Sequence, residues 1–147
     1  MTTRYFRDKG INPPKQIEQI VVMFIYPDLP PRECSPNARV NFREKAAVIR
    51  ALHDDVSILL REGRIVKPED CYHVEKPIVE VSWGLPDKRR RDWDNLIAST
   101  KPIIDVLVRE QILADDTVRD YTPRYCFFES PKDPKTIIKV IRLVDDD

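Results

Sequence analysis

The chain has 147 residues, which is enough for one domain with a hydrophobic core. Its 25 Lys and Arg are balanced by 25 Asp and Glu, so the net charge is zero and a uniformly basic nucleic-acid-coating protein is excluded. The three cysteines, Cys34, Cys71 and Cys126, are widely spaced and contain no C-x-x-C pair, which argues against a zinc site or a disulfide framework. We therefore expect a reducing, cytoplasmic location.

No apolar run approaches the ~20 residues that cross a membrane, and the N-terminus lacks the apolar segment of a signal peptide. We therefore expect no membrane partner. A single domain is predicted over residues 1–147, with an irregular N-terminal segment at residues 1–16 and a solvated acidic tail at residues 145–147.

The first predicted strand covers residues 20–26, where β-branched and aromatic residues follow one another until a series of prolines begins. A proline-rich loop then extends to about residue 40. This loop carries Arg32 and Arg39. It is either an ordinary connection between two elements or a loop whose arginines contact a ligand. A helix follows, because Asn41 is a suitable N-cap, apolar residues recur at helical spacing and Gly63 is a suitable stop.

A second strand and a second helix are predicted after a polar loop. Residues 77–83 alternate between apolar and polar types, which indicates a half-buried strand. The helix begins near Asp94 and ends around residues 109–110. Pro102 lies inside this helical pattern, so either the helix bends there or a short first turn precedes a helix that starts at the proline.

Two further strands complete the predicted fold, over residues 121–128 and 136–144. Pro123 makes the first of them irregular or an edge strand. The resulting order β-α-β-α-β-β predicts an α/β fold, with a mixed sheet of about four strands packed against two main helices.

Opposite charges are concentrated between the second predicted strand, residues 77–83, and the second predicted helix. There a basic run leads directly into Asp92-x-Asp94. The basic residues are Lys88, Arg89, Arg90 and Arg91. In a strand, Asp92 and Asp94 would project to the same side and offer two carboxylates to one point. Paired carboxylates suit Mg²⁺ or Mn²⁺ held together with substrate phosphates, and the adjacent cations suit the phosphates. The pattern thus favours nuclease chemistry; alternatively, Asp94 and Asn95 cap the helix and the cations form a solvated loop.

One family combines acidic and basic residues in a similar way. The chain resembles the RusA family of Holliday junction resolvases in three motifs: Arg-Arg-Arg-Asp92-x-Asp94-Asn95-Leu96, Lys101-Pro102-x-x-Asp105 and Leu113-x-Asp115-Asp116. The resemblance is close over residues 78–121 and looser elsewhere. It implies a RusA-like fold and a homodimeric, Mg²⁺-dependent endonuclease without an organic cofactor. Such enzymes cut four-way DNA junctions in recombination and repair and are often encoded by prophages; Mn²⁺ is a possible substitute metal.

The resemblance also implies roles for individual residues. It makes Asp92, Asp94 and Asp116 the catalytic, metal-binding carboxylates, with Asp115 as a further metal ligand. Lys101 becomes the catalytic lysine. The basic residues would contact backbone phosphates without reading sequence: Lys88, Arg89, Arg90 and Arg91.

The chain departs from the family pattern around the second helix. Lys101 follows Asp94 by seven residues rather than four, so residues 98–100 resemble an insertion of one turn. The glycine that usually follows the helix is replaced by Arg109-Glu110-Gln111. The run after Asp116 is one residue shorter than in the family, which affects the register of the next strand.

Several alternatives remain open at the level of sequence. The substrate is a four-way junction, a flap or another branched DNA, or the chain binds branched DNA without cutting it. Lys101 is catalytic, or it pairs with Asp105 one helical turn away. Three apolar residues of the third predicted strand either form a dimer interface or belong to the core: Tyr125, Phe127 and Phe128.

Overall fold

A computed structural model describes residues 15–146. Its main elements are strands β1 (Gln16–Tyr26), β2 (Ile78–Leu85), β3 (Thr122–Glu129) and β4 (Lys135–Asp145), and helices α1 (Phe42–Glu62) and α2 (Trp93–Arg109). Single 3₁₀ turns lie in two connections, at Arg32–Cys34 and Pro68–Asp70. The predicted α/β fold, a four-stranded mixed sheet with two main helices, is confirmed.

The sheet has the strand order β1-β4-β2-β3. Strand β4 lies between β1 and β2 and runs antiparallel to both, whereas β3 runs parallel to β2. Because parallel strands need a long crossover, helix α2 returns the chain from the end of β2 to the start of β3. Strand β3 is an edge strand, as its Pro123 predicted.

The core lies between the sheet and the two helices. The apolar face predicted for β2 is confirmed, since Val79, Val81 and Trp83 are at most 1% exposed, but Ser82 on the predicted polar face is also buried, at 9%. The indole N–H of Trp83 donates to Thr100 Oγ1 on α2 at 3.1 Å. This bond satisfies the donor of the largest fully buried side chain and links α2 to the sheet.

Both ends of α1 form where the sequence placed them. Asn41 is the N-cap, and its side-chain oxygen accepts from the backbone N–H of Glu44 at 2.8 Å. Gly63 is the C-cap. A Cβ atom at Gly63 would lie 2.2 Å from the carbonyl oxygen of Met23, so this position also needs glycine because β1 approaches closely.

The predicted ends of the first and last strands are wrong. Strand β1 begins at Gln16 rather than at residue 20, and β4 includes Asp145, which the sequence placed in a solvated tail. Gln16 pairs with Asp145, because an antiparallel ladder joins backbone groups and accepts polar side chains on its exposed face. The rest of the predicted irregular segment, residues 1–14, and Asp147 lie outside the described residues.

Helix α2 runs through Pro102 without a break, so the alternative of a helix starting at the proline is wrong. Pro102 is buried, and its ring contributes to the core in place of a backbone hydrogen bond. In the preceding turn, the hydroxyls of Ser99 and Thr100 donate to the carbonyls four residues earlier, at 2.7 Å each.

The three cysteines are free thiols. Cys34 and Cys71 are buried, and burial raises the pKa of both thiols above the ordinary value. Across residues 15–146, the helices are all too short or too polar to cross a membrane.

Candidate functional site

The two carboxylates of the Asp92-x-Asp94 motif lie at the N-terminus of α2. Asp92 is the N-cap residue and Asp94 belongs to the first helical turn, so the expectation that both project from a strand is wrong. Strand β2 ends at Leu85, and the chain turns before it reaches the acids. The positive end of the helix dipole favours carboxylates at this position. Asp92 makes no side-chain capping bond, so its carboxylate is not committed to the helix backbone.

The basic loop before α2 is held together by Arg91. One guanidinium nitrogen of Arg91 donates to the Asp87 carboxylate at 2.8 Å and to the carbonyls of Asp87 and Arg89 at 3.2 and 3.3 Å. The hydrogen bond from Arg91 lowers the pKa of Asp87. The Arg91 side chain is only 11% exposed. Arg91 therefore orders the loop, while Lys88, Arg89 and Arg90 face solvent.

An arginine-rich groove of about 710 Å³ lies between the 27–40 loop and the loop before α2. Ser35 donates to the side-chain carbonyl of Asn95 at 2.7 Å and so fixes the 27–40 loop against α2. Among the described residues that line the groove, Asp92 is the single acidic one. The basic side chains that line it are Arg32, Arg39, Arg89, Arg90 and Arg91. This arginine groove is the part of the molecule best suited to phosphate groups.

Arg32 and Arg39 are the residues whose role the sequence left open. Both side chains are exposed, and both line the arginine groove opposite the basic loop. Two arginines in a proline-rich loop were the available signal. Their position depends on the Ser35–Asn95 contact, which joins residues 60 positions apart and which no local pattern predicts.

Asp92 and Asp94 border a common cavity, although they do not share a strand face. This cavity of about 670 Å³ adjoins the arginine groove, because Asn37, Arg90 and Asp92 line both. Arg90 lies 3.4 Å from the Asp92 carboxylate, in a contact that is exposed to solvent. An anionic ligand in the groove would therefore lie next to these two acids.

Lys101 on α2 forms ion pairs with two acidic residues. Its ammonium group donates to Asp116 at 2.6 Å and to Asp105 at 3.1 Å. The hydrogen bond to Asp116, followed by the one to Asp105, raises the pKa of Lys101. The hydrogen bond from Lys101 lowers the pKa of Asp116. Lys101 is therefore a cation at neutral pH, suited to stabilise negative charge rather than to accept a proton.

Asp116 approaches Lys101 from the loop after α2. The Asp115 carboxylate accepts from the backbone N–H of Asp116 at 2.8 Å, which orients the end of this loop. Asp115 and Asp116 are both exposed. The structure therefore brings Asp116 into contact with Lys101.

The fold separates Asp116 from the pair at the start of α2. Asp94 and Lys101 lie seven residues apart on one face, about 10.5 Å along the axis at 1.5 Å per residue. Asp116 follows the opposite end of the same helix. Within residues 15–146, no three His, Cys, Asp or Glu side chains form a group that could hold a metal ion. Asp92, Asp94 and Asp116 therefore do not form a ready-made metal site.

The donor atoms at the start of α2 nevertheless suit Mg²⁺. This ion prefers oxygen ligands and is commonly held by one or two carboxylates together with substrate phosphates, rather than by an all-protein cage. Asp92 and Asp94 supply two exposed carboxylates beside a groove suited to phosphates. The site thus fits the ion in donor chemistry, with part of the coordination left to a bound phosphate.

Comparison of the chain with protein-family models and with curated proteins found no match. The fold and the site define an α/β protein with an arginine groove that opens beside the acidic N-terminus of a helix.

Proposed function

We propose that the protein is a Mg²⁺-dependent endonuclease that cuts four-way DNA junctions as a homodimer. The observation that carries this proposal is the arginine groove, which opens directly beside Asp92 and Asp94. A phosphodiester backbone is a polyanion, so the groove would hold the substrate while the acids lie next to a backbone phosphate. The RusA-like motifs in the same segment support cleavage as the outcome.

Binding would come from the side chains of the two loops. Arginine presents a planar, permanently charged fork that matches a phosphate group. Such contacts position DNA but do not read its sequence, which suits an enzyme that recognises a branched shape. The residues proposed to contact backbone phosphates are Arg32, Arg39, Lys88, Arg89 and Arg90.

Cleavage requires an activated water molecule and neutralisation of an anionic transition state. Asp92 and Asp94 would hold Mg²⁺ together with phosphate oxygens, and the bound ion supplies Lewis acidity and a more acidic water. Lys101 stays protonated because its pKa is raised, so it can stabilise charge on the phosphate or the leaving oxygen. Asp116 orients Lys101 at 2.6 Å. The resemblance makes Asp116 a further catalytic and metal-binding acid and Asp115 a further metal ligand.

One observation favours a second candidate, a branched-DNA binding protein without nuclease activity. Among the described residues, no three carboxylates gather in a metal-holding group, and Lys101 already neutralises Asp116. The arginine groove would serve such a protein equally well. A nuclease for flaps or other branched DNA uses the same residues and differs only in the preferred substrate.

The test uses a synthetic four-way junction, a flap and a plain duplex, each with and without Mg²⁺ or Mn²⁺. We expect paired nicks in the junction only when metal is present. Asp92→Asn, Asp94→Asn and Asp116→Asn should each abolish cleavage and leave junction affinity nearly unchanged, since binding comes from the cations. Asp54→Asn, at an exposed acid on α1 outside the cavities, is the matched control and should cut normally.

Each outcome selects one function. A variant that cuts at the wild-type rate removes its residue from the catalytic set. A wild-type chain that binds junctions tightly but cuts no DNA with either metal selects the binding protein. Faster cleavage of the flap than of the junction selects the broader branched-DNA nuclease.

A further inference from the structure

We propose that Trp93 and Phe127 form a binding pocket for an unstacked nucleobase, beside the arginine groove. This inference rests on the proposed function, because it supplies the feature of branched DNA that the protein would recognise. Phosphate contacts alone do not distinguish paired from unpaired DNA. A pocket for an exposed base does.

The two rings are exposed yet held in place. Trp93 begins α2 and is 49% exposed, and Phe127 lies on the edge strand β3 and is 55% exposed. Their ring centroids are 6.0 Å apart in an edge-to-face contact. Trp93 also packs 6.1 Å from the buried Trp83, which stacks on Tyr125 at 5.7 Å. The pocket walls are therefore anchored to the core, and the exposed parts of both rings can meet a ligand.

The rings border a small cavity of about 280 Å³. Leu85 and Leu96 add apolar surface to its lining. The volume lies just below the ~300–1,000 Å³ of pockets that bury drug-sized ligands, so one flat ring system is a suitable occupant.

The charged side chains around the cavity favour a nucleotide. Aromatic side chains combined with cations are the usual means of binding single-stranded nucleic acid, where bases stack and cations follow the backbone. Asp87 is already paired with Arg91, which leaves Lys88 and Arg89 against the single carboxylate of Glu129. A second copy of this chain is a poorer occupant, because the centres of protein interfaces are depleted in charged residues.

The position of Trp93 connects this pocket to the candidate acids. Trp93 lies between Asp92 and Asp94 in the sequence, and it lines both this pocket and the cavity that contains the two carboxylates. A nucleotide whose base stacks on Trp93 therefore has its backbone near the acids. Recognition of an unpaired base would position DNA for cleavage at a branch rather than along a duplex.

The experiment measures binding of the full chain to three DNAs in EDTA: a duplex, the same duplex with a three-thymidine gap, and the gapped form with abasic residues in the gap. We expect tighter binding to the thymidine gap than to the other two. Trp93→Ala and Phe127→Ala should weaken gap binding about 5- to 150-fold, equivalent to ~1–3 kcal/mol, and leave duplex binding unchanged. Trp93→Phe should largely restore it. Phe42→Ala, at an 85% exposed aromatic residue elsewhere, is the control.

Four results would overturn the inference. Equal reductions of duplex and gap binding in Trp93→Ala would show that the ring contributes to general DNA affinity. If the unmodified chain bound the abasic gap as tightly as the thymidine gap, no base would be recognised. Conversion of a dimer to a monomer by Trp93→Ala or Phe127→Ala in sedimentation would assign the patch to self-association. These three leave the proposed function standing. Failure to bind these three DNAs and the four-way junction of the preceding test would overturn both.

Discussion

At the scale of single residues, Lys101 is the most informative position. The sequence left two roles open, catalysis and a pair with Asp105, and Lys101 makes that contact as well as the shorter one to Asp116. The lowered pKa of Asp116 contributes stability above the ordinary Asp range, which is lost as the pH falls through the lowered value. The raised pKa of Lys101 contributes stability below the ordinary Lys range, which is lost as the pH rises through the raised value. The pair therefore persists throughout neutral pH.

We expect Lys101→Ala to lower the single-turnover cleavage rate by about 10²–10³-fold, the usual cost of removing one group that stabilises transition-state charge. Junction affinity and melting temperature should change little, because the Lys101 side chain is 61% exposed. An NMR titration should show the pKa of Asp116 rising toward its ordinary value in this variant.

Asp105→Asn provides the matched comparison, since it removes the helical partner and keeps Asp116. Its cleavage rate should stay close to that of the wild type. If Lys101→Ala cut normally and both variants lost only slight stability, the lysine would be a surface ion-pair residue.

At the scale of elements, the C-terminus of α2 ends in a Schellman motif without glycine. The N–H of Gln111 bonds to the carbonyl of Val108 at 2.9 Å, and the N–H of Ile112 bonds to that of Leu107 at 2.9 Å. Ile112 and Leu107 are fully buried, as the hydrophobic contact of this motif requires. Gln111 takes the left-handed conformation, with φ of 63°. The absence of a glycine at this position therefore has a conformational cost.

We expect Gln111→Gly to stabilise the protein by about 1 kcal/mol, because glycine adopts the left-handed conformation without the Cβ penalty. For a chain of this size, that corresponds to a rise in melting temperature of roughly 3–4 °C. Thermal unfolding followed by circular dichroism measures it.

Gln111→Ala is the control for side-chain loss, because alanine keeps the Cβ penalty. It should not raise the melting temperature. Equal stabilisation by both substitutions would place the gain elsewhere than in the backbone conformation.

At the scale of the whole molecule, the chain has zero net charge, yet the residues that the structure describes form an arginine groove. We expect junction binding to weaken steeply with salt. Replacing Arg39, Arg89 and Arg90 with Ala should reduce the slope of log K against log salt by about 0.9 for each backbone phosphate that the variant no longer neutralises. Arg91 is left intact because it orders the loop. Arg50→Ala, at an exposed position on α1 outside the groove lining, should leave the slope unchanged. If the groove variant had the same slope as the wild type, these arginines would be ordinary solvated residues that do not contact phosphates.

A homodimer is the expected assembly. Resolving a junction requires two matched nicks, so one site per chain calls for two chains related by a two-fold axis. Of the three apolar residues proposed for the interface, Tyr125 stacks on Trp83, Phe128 lies over Gly84, and the exposed Phe127 is the residue assigned above to base binding. Sedimentation at micromolar concentration should show a dimer. A monomer that still makes paired cuts would contradict this expectation.

Each main helix and strand could be predicted from the sequence, because the patterns that indicate it involve residues close together in the chain. The apolar face of β2, the Asn41 cap and the helical spacing of apolar residues in α1 depend on neighbouring residues, and all three are confirmed. The site was harder to predict, because its contacts cross the chain. The enclosed position of Arg91, the approach of the 27–40 loop and the separation of Asp116 from Asp92 follow from strand order and loop packing, which a single sequence does not encode locally.

The pairing of β1 with β4 has a consequence for synthesis on the ribosome. Gln16 meets Asp145, so the strand made first depends on the strand made last. At about 5–20 residues per second, the 119 residues after Tyr26 up to Asp145 take roughly 6–24 s to synthesise. Throughout that interval, the backbone groups of β1 that pair with β4 are without their native partner. A nascent chain of this topology completes its sheet only after Asp145 has been synthesised, and it is most open to aggregation before then.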